Sequence, residues 1–285
     1  MGNNTKKGKL FLCPTPIGNL RDITLRVIDC LKEVNLVACE DTRRTKKLLN
    51  HLEINVEMLS YHKFNQESRG QQIIEKLLQG MDVALVSDAG TPSISDPGKF
   101  LVQEAIQKEI EVIALPGPSA PITALAGSGL DTDSFMFLGY IPEKGIERKD
   151  ILAEIIGSAH TVILYENYNR LEKTINDLSK QLGKRQIVIA KELTKVHEQY
   201  IRGTAKELLE YLEKNSIKGE CTVLIQGANH TTELNYLPGE DAKSHLNELI
   251  GQGFTKKQAI KLVSQLREIP KREVYQIALE LEKEK

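Results

Sequence analysis

The stretch VSDAGTPSISDPG, residues 86–98, directly follows the apolar run DVAL at 82–85. The apolar run is short and bounded by turn residues, which is typical of a buried strand. Glycine, proline, serine and aspartate dominate the stretch itself, and these residues form turns rather than fill a core. Its end predicts a helix start, with Asp96 as N-cap and Pro97 at the first helical position. The rest predicts one wall of a ligand site just beyond a strand.

The first part of the chain alternates short apolar runs with helical patterns. The predicted strands are KLFLC (9–13), NLVAC (35–39), VEMLS (56–60), DVALVS (82–87) and EVIAL (111–115). Helical patterns at 24–33, 42–50, 66–79 and 98–108 lie between them. Strands this short and apolar, separated by helices, indicate a parallel sheet covered by helices on both faces.

The pattern changes in the second part of the chain. Predicted strands there are SFMFLG (134–139), TVILYE (161–166), QIVIAKE (186–192), EQYIRG (198–203) and CTVLIQG (221–227). Only LTKVH separates the third strand from the fourth, which suits an antiparallel pair, because a parallel crossover needs about a dozen residues or more. We therefore expect a mixed sheet in this part.

The length of 285 residues suggests two domains, and the end of the chain adds a helical tail. We place an N-terminal α/β domain at 1–131 and a C-terminal α/β domain at 132–230. Residues 231–285 form a linker and the tail, in which Thr255 and Gln258 match a capping box at the start of a helix.

Composition excludes several classes of protein. The net charge is −1, so any nucleic-acid surface must be local. The apolar run 112–130 contains three prolines, which argues against a membrane-spanning helix. No two cysteines form a C-x-x-C pair, so we expect no metal site and reduced thiols in a cytoplasmic protein. The cysteines are Cys13, Cys30, Cys39 and Cys221.

Three strand exits carry unusual loops, at residues 14–19, 87–92 and 116–120. Because ligands bind beyond the carboxyl ends of parallel strands, these loops predict a small-molecule crevice. The alternative is ordinary turn chemistry. The chain lacks both the G-x-x-x-x-G-K-[ST] and the G-x-G-x-x-G nucleotide patterns, and the loops contain few cations. A nucleoside-like ligand without phosphates fits these features best.

A basic cluster lies within CEDTRRTKK, residues 39–47. Two acids precede the cations, as is favourable at the start of a helix, so the cluster is either a solvated basic helix face or a contact with nucleic-acid phosphates. The tail supports the second interpretation, because six basic residues and one acid give 254–272 a net charge of +5. The RNA-binding candidates are Arg43, Arg44, Lys46 and Lys47.

Several long motifs resemble the ribosomal RNA small subunit methyltransferase I group of the tetrapyrrole methylase superfamily. They are TPIGNLRDIT (15–24), CEDTRRTKKLL (39–49), VSDAGTPSISDPG (86–98), LPGPSAPITAL (115–125) and AKELTKVHEQYIRG (190–203). The resemblance implies a class III methyltransferase with two α/β domains, acting as a homodimer. It also implies S-adenosylmethionine as cofactor and 2′-O-methylation of a decoding-centre cytidine in 16S ribosomal RNA.

The resemblance implies cofactor-binding residues in both domains. They are Pro16, Ile17, Gly18, Asp88, Gly90, Thr91, Ser119, Ala120, Leu164, Tyr165, Gln226, Gly227 and Ala228. One motif departs from the family, because Tyr168 and Asn169 stand where the family has a Pro-His pair. A role of that histidine in relatives therefore does not transfer to this chain.

Methyl transfer to a hydroxyl can use a general base. We favour Lys191 and Glu192 as catalytic residues, because they end a strand of the second domain; a surface ion pair is the alternative. The other candidates are Glu40, Asp41, Glu166 and His197. Two alternative functions remain, a methylase of a small tetrapyrrole-like substrate and a non-catalytic ribosome-binding factor.

Overall fold

The computed structural model describes residues 6–283 apart from 216, 218 and 229–240. The chain forms two compact units, and the division falls after Thr123. The three-part division at residues 131 and 230 stays a prediction. Within the described ranges, no helix is both long and apolar enough to cross a membrane.

The first unit contains a five-stranded parallel sheet in the order β3-β2-β4-β1-β5. Its strands are β1 (Leu10–Cys13), β2 (Leu36–Cys39), β3 (Glu57–Ser60), β4 (Val83–Val86) and β5 (Val112–Ala114). The helices are α1 (Leu25–Glu33), α2 (Thr42–His51), α3 (Gln66–Leu78) and α4 (Lys99–Gln107), and α5 (Ala120–Ser128) crosses the division. The predicted parallel sheet is confirmed.

Helices cover both faces of this sheet, as the sequence predicts. Leu36 and Ala38 of β2 belong to one hydrophobic core, whereas Val37 and Cys39 belong to another. Because successive side chains of a strand point to opposite faces, the two cores lie on opposite sides of the sheet.

The second unit contains a mixed five-stranded sheet in the order β6-β7-β10-β8-β9. Its strands are β6 (Phe135–Tyr140), β7 (Thr161–Asn167), β8 (Ile187–Lys191), β9 (Gln199–Gly203) and β10 (Glu220–Ile225). Among the pairings of neighbouring strands in this sheet, that of β6 with β7 is parallel and the others are antiparallel, so the predicted antiparallel pairing of β8 with β9 is confirmed. Its first helices are α6 (Ile146–Gly157), α7 (Tyr168–Leu182) and α8 (Ala205–Lys214).

Within residues 241–283, the tail forms three helices that pack in the core of the second sheet. They are α9 (Ala242–Gly251), α10 (Lys256–Leu266) and α11 (Lys271–Lys283). Leu246, Val263 and Val274 are fully buried in the same core as Leu164 of β7. The Thr255 capping box is present as predicted. Most of the predicted linker lies outside the described residues.

The predicted start of α4 is wrong. The helix begins at Lys99, with Gly98 rather than Asp96 at the N-cap position. Gly98 has φ +149°, and a Cβ there would lie 2.1 Å from Oγ of Ser93 and 2.9 Å from Cδ2 of Leu85. The chain turns too tightly at this point for any side chain, so the helix starts after the glycine.

Candidate active site

The loops that follow β4, β1 and β5 lie side by side at the carboxyl edge of the first sheet, because these strands are neighbours. A pair of backbone hydrogen bonds joins two of the loops. The amide of Thr15 donates to the carbonyl of Gly90, and the amide of Gly90 donates back to Thr15, each at 2.9 Å. The predicted convergence of the loops is therefore present in the fold.

Hydroxyl side chains fix these loops further. Thr15 Oγ1 donates to the carbonyl of Ser87, and Ser87 Oγ donates to the carbonyl of Gly90, both at 3.0 Å. Thr91 Oγ1 donates to the carbonyl of Pro118, also at 3.0 Å, which ties in the third loop. These hydroxyls hold the loops to one another, so the loops are preorganised before a ligand arrives.

Two glycines allow the loops to approach this closely. Gly90 has φ +87°, which side chains rarely adopt. A Cβ at Gly117 would lie 2.6 Å from Cβ of Pro14, well inside van der Waals contact. Any larger residue at Gly117 must push the first and third loops apart.

A cavity of about 200 Å³ opens beside the first two loops. Thr15, Pro16, Ser87 and Asp88 line it from the strand exits, and α2 contributes Arg44, Thr45, Lys47 and Leu48, with Leu20 completing the lining. The cavity thus brings predicted cofactor residues together with predicted RNA-binding residues.

Asp88 binds the start of α2. Its Oδ2 lies 3.1 Å from an Arg44 nitrogen, and its Oδ1 accepts a hydrogen bond from the amide of Asp41 at 3.1 Å. The predicted cofactor carboxylate and one predicted RNA-binding cation therefore form an ion pair with each other. Nearby, burial and the charge of Asp88 raise the pKa of the Glu40 carboxyl.

The other cations of α2 differ in their surroundings. The Arg43 guanidinium lies 2.9 Å from the carboxylate of Asp41, and hydrogen bonds from Arg43 lower the pKa of that carboxyl to about 2. Asp41 also caps the helix, accepting from the amide of Arg43. Lys46 and Lys47 are exposed. The two lysines and Arg43 present a basic surface on α2.

The favoured catalytic residues lie at the end of β8 in the second unit. Lys191 is the last residue of the strand, and Glu192 follows with φ +52°. The Glu192 carboxylate lies 2.9 Å from Nζ of Lys195, so this acid belongs to a partly exposed ion pair. His197, another base candidate, is exposed in the connection to β9.

The predicted cofactor residues of the second unit are not all together. Leu164 is fully buried in the core, and its neighbour Tyr165 is half-buried. Gln226–Ala228 follow β10 at the opposite edge of the sheet, where the amide of Ala228 donates to the carbonyl of Ser158. Leu164 and Tyr165 therefore lie towards the carboxyl end of β7, whereas Gln226–Ala228 lie near its first residues.

Glu166 is held in a buried network. Its carboxylate lies 2.7 Å from an Arg170 nitrogen and accepts hydrogen bonds from Thr174 Oγ1 and the amide of Asn167. The residue is fully buried, and these contacts occupy both oxygens. Tyr168, which stands in a position where the family has Pro-His, begins α7 and is exposed.

Sequence reasoning missed one cluster of side chains at the same edge as Lys191. Tyr140, at the end of β6, packs against Tyr165 and donates a hydrogen bond to Glu220. The available signal was a glycine directly before an aromatic residue at the end of a predicted strand, Gly139 and Tyr140.

Residues 9–209 match the family of tetrapyrrole (corrin/porphyrin) methylases. Proteins named ribosomal RNA small subunit methyltransferase I match along nearly the whole chain. The protein of Halalkalibacterium halodurans is 44% identical, covering 95% of this chain and 94% of its own. That of Synechocystis is 43% identical, with 96% and 99% covered.

The chain belongs to this family of methyltransferases. The Bacillus subtilis member is 42% identical, covering 94% of this chain and 93% of its own. S-adenosylmethionine is the methyl donor of the family and the cofactor of this protein. The recognition made from the five sequence motifs is confirmed.

Solved structures show the same fold at low sequence identity. Cobalt precorrin-4 methyltransferase matches with a TM-score of 0.58 and 17% identity, covering 76% of this chain and 94% of its own. Diphthine synthase matches with a TM-score of 0.60 and 14% identity, covering 81% and 94%. The predicted tetrapyrrole methylase-like architecture is thereby confirmed.

Proposed function

We propose that this protein transfers a methyl group from S-adenosylmethionine to the 2′-hydroxyl of a decoding-centre cytidine in 16S ribosomal RNA. The observation that carries the proposal is the 44% identity to a ribosomal RNA small subunit methyltransferase I across 95% of the chain. An alignment that covers 95% of the chain includes residues of both sheets and of the tail. The substrate is the small ribosomal subunit, and the protein acts in the cytoplasm as a homodimer.

The three loops of the first sheet are the proposed cofactor site. When bound, S-adenosylmethionine supplies an electrophilic methyl group on a sulfonium, and the protein supplies binding and orientation. Pro16–Gly18, Gly90, Thr91 and Ser119–Ala120 offer backbone groups on a framework already fixed by hydrogen bonds. Asp88 contributes by holding α2 against the second loop.

The second unit supplies the remaining proposed contacts. Leu164, Tyr165 and Gln226–Ala228 are the cofactor-binding residues that the family resemblance implies for this unit, and Leu164 places Tyr165 by packing in the core. Lys191 and Glu192 face the ribose in this proposal. The Glu192 carboxylate takes the proton of the 2′-hydroxyl as the oxygen attacks, and the Lys191 ammonium binds the neighbouring phosphate.

The basic surface of α2 is the proposed contact with ribosomal RNA. Arg43, Lys46 and Lys47 are exposed, and Arg44 reaches the surface while paired with Asp88. Phosphate contacts position a protein on RNA without reading its sequence. Reversing the charge of both Lys46 and Lys47 is expected to weaken subunit binding at low salt. Unchanged binding would refute this assignment.

Methylation of purified small subunits tests the proposed function. The protein is incubated with methyl-labelled S-adenosylmethionine and subunits that lack the modification, and the 16S RNA is digested to nucleosides. We expect label in 2′-O-methylcytidine, and a reduced rate with Glu192→Gln. Label in another nucleoside would refute the cytidine assignment. Cofactor binding without any transfer to RNA would favour one of the alternative functions.

A further inference from the structure

Three aromatic rings form a cluster at the carboxyl end of the parallel strands β6 and β7. The ring centroids of Phe137 and Tyr165 lie 5.1 Å apart in an edge-to-face arrangement. The rings of Tyr140 and Tyr165 lie 5.3 Å apart and are tilted by 52°. Such packing fixes the ring planes. Tyr140 forms the outer side of the cluster and is 45% exposed.

A β-bulge places Tyr140 in this position. Phe137 pairs with Ile163, and the next pairing joins Tyr140 to Tyr165, so β6 contains one residue more than β7 over this interval. Gly139, within the bulge, has φ +64°, which suits glycine. Bulges redirect side chains and are common beside active sites. Here the bulge turns the Tyr140 ring across the end of β7.

The hydroxyl of Tyr140 reaches the third strand of the sheet. It donates a hydrogen bond of 2.7 Å to Oε1 of Glu220, the first residue of β10. Glu220 is exposed. An ionised carboxylate only accepts hydrogen bonds and has two oxygens. The hydrogen bond therefore fixes the position of the exposed Glu220 carboxylate relative to the exposed ring of Tyr140.

This pair lies at the same edge as the proposed catalytic residues. Strands β7 and β8 both run antiparallel to β10, so their carboxyl ends share the edge at which β10 begins. Lys191 pairs with Cys221, the residue next to Glu220. Tyr168, also exposed, begins α7 at this edge.

We propose that Tyr140 and Glu220 bind the cytosine base of the nucleotide that receives the methyl group. The base stacks on the Tyr140 ring, and its N4 amino group donates a hydrogen bond to the Glu220 carboxylate. This pairing of a carboxylate with cytosine N4 is a recurrent mode of base reading. Uracil carries an O4 acceptor at that position, so the carboxylate disfavours it. The inference rests on the proposed function and adds the residues that select the base.

The physical need for such a site comes from the substrate. Single-stranded RNA is read by stacking its splayed bases on aromatic side chains and bonding their edges. The 2′-hydroxyl must also be held close to the methyl donor, since reacting atoms about 3–3.5 Å apart favour displacement. A base clamped between a fixed ring and a fixed carboxylate holds its own ribose in place.

Steady-state methylation of small subunits tests the ring. We expect Tyr140→Leu to raise the KM for subunits about tenfold with a much smaller change in kcat, because base stacking is lost. Tyr140→Phe keeps the ring and is expected to recover most of the affinity. Phe135→Leu is the matched control, since Phe135 is an equally exposed aromatic residue of β6. We expect its KM to equal that of the wild type.

Base selection tests the carboxylate. Reconstituted subunits carry either cytidine or uridine at the methylated position, and kcat/KM is measured for both. We expect wild-type protein to prefer cytidine by tenfold or more, because a well-placed base contact discriminates on this scale. Glu220→Gln is expected to reduce that preference about tenfold, since an amide can also donate to uracil O4.

The outcomes separate this inference from the proposed function. A wild-type protein that methylates no RNA would overturn both. An active wild type with unchanged KM in Tyr140→Leu, or unchanged preference in Glu220→Gln, would overturn the inference alone. Calorimetry with S-adenosylmethionine gives the last distinction. Equal cofactor affinity in wild type and Tyr140→Leu supports the inference, whereas a tenfold loss would assign the ring to the cofactor's adenine and overturn it.

Discussion

The functional edges of the two sheets are held together in different ways. At the first sheet, backbone carbonyls accept the hydrogen bonds that join the three loops, as in the Thr15–Gly90 pair and the bond from Thr91 Oγ1 to Pro118. At the second sheet, side chains make the connections, as in the buried ion pair of Glu166 with Arg170 and the bond from Tyr140 to Glu220.

This difference follows from topology. A parallel sheet gathers its strand exits at one edge, where short loops can bond through their backbones. In the mixed sheet, β6, β7 and β8 end where β10 begins, so side chains of different strands face one another. Side-chain substitutions should therefore matter more to the stability of the second unit, and backbone conformation more to ligand binding in the first.

The largest expected effect is the loss of stability when the buried ion pair of Glu166 and Arg170 is broken. Glu166→Ala removes the carboxylate that Arg170 and Thr174 bond, and breaking a buried pair costs about 3–5 kcal/mol of unfolding free energy. Denaturant titration of purified protein measures the loss. Glu172→Ala, an exposed acid of α7, is the matched control. A loss under about 1 kcal/mol for Glu166→Ala would remove the contrast between the two edges.

Acid should destabilise the packing of the tail. His245 on α9 is fully buried, and burial with the charge of Arg267 lowers its pKa from 6.5 to about 4. The unfolded chain therefore binds the proton more readily, and stability falls as the pH drops from 6.5 to 4, by about 3 kcal/mol. Denaturant titrations across this pH range measure the effect.

The geometry of His245 explains the direction of this effect. Its Nδ1 accepts from Nε of Arg267, and its Nε2 faces Oε1 of Gln181, so the neutral ring suits both partners. His245→Gln should flatten the pH profile over the same range. An unchanged slope in that variant would show that other groups cause the acid sensitivity.

At the first edge, a single methyl group should disturb ligand binding. Gly117→Ala places a Cβ 2.6 Å from Cβ of Pro14, and overpacking of this kind costs about 1–3 kcal/mol. We expect the affinity for S-adenosylmethionine to fall tenfold or more in calorimetry. Gly251→Ala, where a Cβ would meet nothing within 4 Å, is the control and should bind normally. Normal binding by Gly117→Ala would refute a cofactor site at these loops.

The smallest effect is expected at the surface ion pair of the first unit. Arg43 is highly exposed, and exposed pairs with carboxylates contribute little to stability. Arg43→Ala should leave the denaturation midpoint unchanged while weakening binding to small subunits at low salt. A midpoint shift as large as that of Glu166→Ala would mean that the first edge also depends on side-chain pairs.

Most of the fold could be predicted from the sequence. Short apolar runs between turn residues predicted the ten strands found in the described residues, because turn residues bound each run clearly. The two long helices α6 and α7 were not predicted. Helix α7 begins at Tyr168, directly after β7, so no turn residue separates the two patterns. The start of α4 was predicted wrongly because the tight turn at Gly98 depends on Ser93 and Leu85.

The candidate site was predictable as a set of loops but not as a set of contacts. The sequence predicts that residues 14–19 and 87–92 meet at a sheet edge. It does not predict that Asp88 pairs with Arg44, because the two residues belong to different motifs and meet only through the order of β2 and β4. Tyr140 and Glu220 are likewise distant in sequence and come together only through the mixed sheet.

Hydrogen exchange with and without saturating S-adenosylmethionine tests the central claim most directly, because it follows the amides of the loops themselves. We predict slower exchange in peptides covering 14–20, 87–92 and 115–120 when the cofactor is bound. Peptides from α9, which packs in the core of the second unit, should show no change. Unchanged exchange in all three loops, under conditions where calorimetry shows full binding, would contradict a cofactor site at the carboxyl edge of the first sheet.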